Sequence, residues 1–149
     1  AMARSGTMRP FRNLARAKFT GGRFSKNFME NKTRLGPWGE EIAARCLERK
    51  GFEIVERNFR CRYGEIDIIA KNAEFLVFAE VKLRKSAKFG EAREFVDKRK
   101  RERLSASAAL WLEEHETELQ PRFDVIEIYA PDGTDTKKPE VRHLEDAFE

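Results

Sequence analysis

The sequence predicts a single α/β domain in which a mixed central sheet is flanked by helices. Three observations carry this expectation. Two apolar runs rich in Ile, Val and Phe, residues 64–70 and 75–84, flank the polar break Lys71-Asn72-Ala73-Glu74 and read as a β-hairpin. A further β-type run precedes them. A long helical pattern then separates the hairpin from a last apolar run, and a helix between two strands of one sheet implies a crossover and parallel pairing. At 149 residues the chain can bury about two thirds of its unfolded surface. A hydrophobic content of 40% with 12 Phe supports a packed core, while 38% charged residues demands a densely charged surface.

Composition also narrows the function. No run approaches the roughly 18 apolar residues of a membrane span, and no apolar segment with a small-residue cleavage site follows the basic start. A soluble, intracellular, cytoplasmic protein without a membrane partner is expected. Cys46 and Cys61 are the only cysteines and lack CxxC spacing, so they read as reduced, half-buried residues. The net charge of +4 is unevenly spread: residues 1–35 hold nine Lys or Arg against Glu30 alone, leaving residues 36–149 net acidic. Overall basicity therefore cannot argue for nucleic acid, and local clusters must.

Residues 1–35 mix Gly, Ser, Thr, Asn and Arg with isolated Phe and show no sustained period. This is the composition of a basic, disordered extension, with Ala1 ahead of the first Met read as a cloning remnant. A phosphate-contacting arm is the functional alternative, and the Arg-rich, acid-poor make-up also has transit-peptide character. Gly36-Pro37 marks the boundary to the domain of residues 36–149. Residues 38–50 read as the first helix, with Ile42, Ala43, Cys46 and Leu47 on its apolar stripe and Gly51 as its stop. Glu40 lies in line with Ala43, Ala44 and Leu47 and is the acid turned inward. A first-turn glutamate favoured by the helix dipole is the plainer explanation.

Residues 52–59 read as a half-exposed strand, so with the hairpin they form a three-strand meander. Residues 91–115 carry a helical pattern about 37 Å long, with Phe95, Leu104, Ala108, Trp111 and Leu112 inward. A basic cluster lies before and within it: Arg84, Lys85 and Lys88, then Lys98, Arg99, Lys100, Arg101 and Arg103. It reads either as a phosphate-facing rim or as a solvated face balanced by Glu91, Glu94, Asp97 and Glu102. Gln120-Pro121 breaks the chain. Residues 123–130 then place Val125, Ile126, Ile128 and Tyr129 on both faces, the mark of a buried strand. Pro131-Asp132-Gly133 leads to a charged loop and a short final strand or helix near Phe148. His115 and His143 sit far apart among charged residues and receive no catalytic role. There are no internal repeats, no glycine-rich phosphate loop and no GxSxG element.

The hairpin carries charges where a core belongs. Alternation puts Glu65, Asp67 and Ile69 on one face of its first strand and Phe78, Glu80 and Lys82 on one face of the second. An odd register sets Asp67 directly opposite Glu80, with Cβ atoms about 4.5–5.5 Å apart. Two carboxylates so close repel unless a cation shares them. Asp67, Glu80 and the backbone carbonyl of Val81 offer the hard oxygens that Mg²⁺ or Mn²⁺ prefers, and Glu40 could add a ligand or hold a metal-bound water. Lys82 reaches the same side, where it can orient water or stabilise charge developing at a phosphodiester. On strand chemistry alone, a buried Lys–Glu salt bridge accounts for Glu80-Val81-Lys82 equally well.

These residues also carry a resemblance. Trp38-Gly39-Glu40 with Ala43, Gly64-Glu65-Ile66-Asp67, Phe78-Ala79-Glu80-Val81-Lys82-Leu83-Arg84, Lys100, Ala108 with Trp111-Leu112, Arg122-Phe123-Asp124-Val125 and Asp146-Ala147-Phe148 look like the bacterial YraN-like family. That family is similar to archaeal Holliday junction resolvases within the PD-(D/E)xK, or restriction-endonuclease-like, nuclease superfamily. The resemblance covers roughly residues 36–149. It implies a restriction-endonuclease-like αβββαβ core and a Mg²⁺-dependent DNA endonuclease, with Glu40, Asp67, Glu80 and Lys82 at the active-site positions. Glu65, Arg84, Lys100 and Asp124 match recurrent family positions. The corresponding expectation is hydrolysis of branched or structured DNA, with Glu65, Arg84, Lys85, Lys88, Lys98, Lys100 and Arg101 as nucleic-acid-binding candidates. Resolvases of this superfamily act as dimers on two-fold-symmetric junctions, so the resemblance admits a homodimer, although the sequence shows no decisive dimer stripe. The alternative is a nucleic-acid-binding or scaffolding module that keeps the fold with negligible turnover.

Overall fold

The structure is a computed structural model that describes residues 26–85 and 97–149, with side chains from residue 35 onward. Helix α1 (Lys26–Arg49) is followed by strands β1 (Glu53–Cys61), β2 (Gly64–Lys71) and β3 (Phe75–Arg84). Helix α2 (Lys98–Glu114), strand β4 (Gln120–Tyr129), a 3-10 turn at Gly133–Asp135 and strand β5 (Glu140–Phe148) complete the elements of the described residues. The expected αβββαβ order is present, extended by β5. The five strands form one sheet in the order β1-β2-β3-β4-β5. The β1/β2, β2/β3 and β4/β5 pairs are antiparallel and β3/β4 is parallel, with α2 as the connection that parallel neighbours require.

The two helices cover opposite faces. Ala43, Ala44 and Leu47 of α1 pack with Ile68, Ala70, Val77, Ala79, Ile126 and Ile128. Leu104, Ala108, Leu110 and Trp111 of α2 pack with Ile66, Ile69, Leu76, Phe78 and Val125. Burial on both faces explains why β3 and β4 read as near-continuous apolar runs. In β2 the alternation breaks at Asp67: Ile66 and Ile69 share the α2 cluster, while Ile68 and Ala70 share the α1 cluster. Nearby on β1, Asn58 adopts a left-handed backbone with φ 53°. The irregularity thus coincides with a polar position.

Several boundaries differ from the sequence expectation. Helix α1 starts at Lys26, not at residue 38, and runs through Pro37. Proline forfeits one helical hydrogen bond, but the residue before it is Gly36, which has no Cβ to clash with the pyrrolidine ring. Gly51, at φ 92°, ends α1 as expected, with Phe52 N–H donating to the Leu47 carbonyl at 3.0 Å. Helix α2 starts at Lys98 rather than residue 91, because Asp97 is extended and its side chain caps the Lys100 N–H at 2.8 Å. Phe95, Lys88, Glu91 and Glu94 lie outside the described residues. Strand β4 begins at Gln120 and includes Pro121, tolerated so near a strand start. The final element is a strand, β5. Both cysteines are free, Cys61 buried and Cys46 half-buried. Among the described residues no helix is long and apolar enough to cross a membrane.

Candidate active site

The pairing of β2 with β3 runs from Lys71 opposite Leu76 to Ile68 opposite Ala79. Asp67 and Glu80 are the next residues in that register, which is the odd register expected from the sequence, but the paired run stops short of them. Instead Asp67 Oδ2 accepts the Val81 N–H at 2.8 Å, a side chain replacing a ladder partner where the strands part. Both acids are nearly enclosed, at 8% and 7% exposure. Burial, and then the charge of Glu80, lift Asp67 well above the usual carboxylate range. Glu40 and Glu65 add to the repulsion, and the Val81 N–H opposes it.

Glu80 carries the two ammonium groups of the site. Its Oε1 lies 2.5 Å from Lys100 Nζ, brought by the first turn of α2, and 3.3 Å from Lys82 Nζ. Burial lowers the pKa of Lys82, helped by the neighbouring Lys100 ammonium and resisted by Glu80. Burial also works against the Lys100 ammonium, yet the charge and hydrogen bond of Glu80 outweigh it and raise its pKa.

Glu40 reaches the same end of the sheet from α1. The preceding residue makes this approach close: a Cβ at Gly39 would stand 3.0 Å from three side-chain carbons of Leu83 on β3. Asn58 Nδ2 donates to Glu40 Oε2 at 3.0 Å. Burial raises the Glu40 pKa, the Asn58 bond lowers it and the charge of Glu65 raises it again. Glu65 itself pairs with Arg60 at 3.1 Å.

The donor set fits a hard divalent cation held by two carboxylates, as Mg²⁺ commonly is with water completing its shell. Asp67 gains most, because a cation beside Glu80 would offset the burial and repulsion that raise its pKa. Among the described residues, however, no three of His, Cys, Asp and Glu stand together closely enough to hold a metal ion unaided. Lys100 already places one positive charge on Glu80.

The basic candidates divide by exposure. Lys85, Lys98, Arg99, Arg101 and Arg103 are exposed, whereas Lys100 is half-buried toward Glu80. Arg84 is also half-buried, with its guanidinium Nε and Nη2 enclosed. Lys88 lies outside the described residues. An open groove of about 210 Å³ beside the acids is lined by Gly64, Glu65, Lys100, Arg103 and Leu104.

Sequence reasoning missed Glu127. It is fully buried in β4, is the register partner of Lys82 on the parallel neighbour, and accepts the Tyr129 hydroxyl on Oε2. Its Oε1 has no hydrogen-bond partner among the described residues. The available signal was a charge inside an apolar strand, the one that singled out Asp67 and Glu80. Asp124 stands apart from the site. Fully buried, it takes two Arg122 hydrogen bonds at 2.9 and 2.8 Å, His143 Nε2 at 2.6 Å and the Asp146 N–H at 3.0 Å, tying β4 to β5. His143 is thus a partner in the Asp124 network.

A family model described as "Uncharacterised protein family UPF0102" matches residues 39–128, a span that includes Glu40, Asp67, Glu80, Lys82, Lys100 and Glu127. A UPF0102 protein of Nocardia farcinica is 44% identical over 119 residues, covering 79% of this chain and 91% of its own. One from Geotalea daltonii is 46% identical over 121 residues, 80% of this chain and 92% of its own. A third, from Caldanaerobacter subterraneus, is 42% identical over 120 residues, 79% and 97% respectively.

Proposed function

The chain belongs to the uncharacterised protein family UPF0102, and from that premise together with the site we propose that it is a divalent-metal-dependent endonuclease hydrolysing DNA phosphodiester bonds in branched or otherwise structured DNA. One observation carries the reading. Asp67 and Glu80 are brought together, nearly buried, where β2 and β3 part, and Lys82 lies 3.3 Å from Glu80. A structural ion pair needs one acid, whereas the second acid here only costs stability unless a cation uses it.

Asp67 and Glu80 would hold Mg²⁺ or Mn²⁺, with the Val81 carbonyl as the further oxygen expected from the sequence, while Glu40, which does not close with them into a three-acid cluster, would act through water rather than as a ligand. When bound, the cation supplies neutralisation of the charge that builds on a phosphoryl oxygen. The Val81 N–H fixes the orientation of Asp67. Lys82, held as an ammonium beside Glu80, orients the attacking water and stabilises the charge that develops as the water oxygen bonds to phosphorus and the bond to the leaving oxygen breaks. Exposed Lys98, Arg99, Arg101 and Arg103 on the first turns of α2 would contact the phosphate backbone, Arg103 from the groove it lines. Such a protein works where DNA is, in the cytoplasm of a bacterial cell, and a homodimer suits a two-fold-symmetric junction.

A second reading, a binding or scaffolding module with negligible turnover, is favoured by a different observation: Lys82 and Lys100 already neutralise Glu80. Incubating the protein with Mg²⁺ or Mn²⁺ and duplex, flapped, single-stranded and four-way-junction DNA separates the two. Metal-dependent nicking absent from Lys82→Ala supports the nuclease. DNA binding without nicking by either protein supports the module, and nicking that persists in the variant points to contamination.

A further inference from the structure

We propose that Lys100 is a displaceable counter-ion of the metal site. Its ammonium holds Glu80 until a divalent cation enters, and then swings outward to a phosphate group in the groove it lines. This rests on the metal-site reading above and adds to it a residue that couples cation binding to polyanion binding.

The geometry supplies both positions. Lys100 Nζ sits 2.5 Å from Glu80 Oε1, on the oxygen that Lys82 also reaches at 3.3 Å, so two ammonium groups share one acceptor atom. A divalent cation between Asp67 and Glu80 would repel both. Lys82 is the more confined, rooted on β3 with a side chain 21% exposed. The Lys100 side chain is 32% exposed and forms the wall of the groove with Gly64, Glu65, Arg103 and Leu104. Its flexible four-carbon stem lets the ammonium exchange one oxygen anion for another while the backbone stays fixed. The backbone anchor is independent of the site, because Asp97 caps the Lys100 N–H. Arg103, one turn along α2, is exposed in the same groove and offers a second cation to the same phosphate. Linkage then runs both ways: a phosphate that draws Lys100 away frees Glu80 for the cation, and the cation frees Lys100 for the phosphate.

A purely structural Lys100–Glu80 bridge predicts something else. Removing it loosens α2 from β3 and can only weaken whatever the site binds. Calorimetric titration of the full chain with Mn²⁺ alone, comparing wild type, Lys100→Met, Lys100→Gln, Lys100→Arg and Asp67→Asn, decides between these accounts. Expected are Mn²⁺ affinities about tenfold tighter in Lys100→Met and Lys100→Gln, since even a modest charge repulsion of this order is removed. Lys100→Arg, which keeps the charge, should stay near wild type. Asp67-dependent Mn²⁺ binding that is unchanged or weakened in both neutral variants overturns the counter-ion and leaves the metal site standing. Mn²⁺ binding that survives undiminished in Asp67→Asn removes the metal site, and the counter-ion with it.

Discussion

Asp67 accepts the backbone N–H of Val81 at 2.8 Å, just beyond the last paired residues of β2 and β3, Ile68 and Ala79. That single bond converts the end of a hairpin into a holder for a buried carboxylate. It fixes the orientation of Asp67 without neutralising it, which leaves an acid whose cost the fold bears.

Replacing that acid should stabilise the protein while disabling it. Asp67→Asn keeps an oxygen for Val81 and removes the repulsion with Glu80, so a gain of about 1 kcal/mol is expected at neutral pH. The sign with pH is fixed by the raised pKa of Asp67. A carboxyl whose folded pKa exceeds its unfolded value binds more protons when folded, so it subtracts stability as pH rises from the unfolded value through the folded one. Urea midpoints of variant and wild type should converge near pH 4 and separate steadily toward neutrality. A variant less stable than wild type at pH 7 would count against this account.

Asp124 should behave in the opposite way. Burial would raise its pKa, but the bonds from His143, Arg122 and the Asp146 N–H outweigh that and hold it below the usual range. Its stabilisation is present above the unfolded carboxyl pKa and is lost as pH falls through the depressed folded one. Asp124→Ala leaves the Arg122 guanidinium, 9% exposed, without its main partner, and should cost about 3 kcal/mol or more. A loss under about 1 kcal/mol in chemical denaturation would contradict the network as drawn.

Much of this was legible in the sequence. Period-two alternation with a four-residue break set the hairpin, and parity alone brought residues 67 and 80 into one register. The α2 crossover followed from a helical pattern between two strand patterns. What was not legible depends on contacts distant in the chain or on exceptions to local rules. The helical continuation through Pro37 needs the absent Cβ of Gly36. The left-handed Asn58, which donates to Glu40, is a residue type that tolerates this conformation, but nothing in its strand-like neighbours marks where the strand bends. The resemblance marked Lys100 as a recurrent position, but spacing alone read it as one cation in a basic run, because only packing of α2 over β3 turns it toward Glu80. Glu127 was hidden by a strand judged from its apolar neighbours.

The approach of α1 to the sheet should depend on Gly39. A Gly→Ala exchange inside a helix normally gains up to about 1 kcal/mol. Here the new Cβ would sit 3.0 Å from three Leu83 carbons, so Gly39→Ala should instead cost about 1–2 kcal/mol by overpacking. Leu83→Ala should remove most of that cost. A double-mutant cycle on urea midpoints that comes out additive would show that this close approach does not limit the helix.

The exposed cations of α2 should act through charge alone. Reversing Arg101 and Arg103 to Glu should weaken binding to all duplex sequences alike. It should also reduce the slope of log affinity against log salt by about 1 for each phosphate no longer neutralised. Fluorescence anisotropy across a salt series reads this directly, and an unchanged slope would place the nucleic-acid path elsewhere.

The proposed phosphodiester hydrolysis depends on the acids at the parted end of the hairpin and on Lys82. Its most direct test is the single-turnover cleavage rate of a saturating four-way-junction DNA in Mg²⁺ by wild type and Lys82→Ala, with DNA affinity measured in parallel. The account predicts a rate lowered about 10²- to 10⁴-fold at unchanged affinity. Equal rates in the two proteins would contradict it.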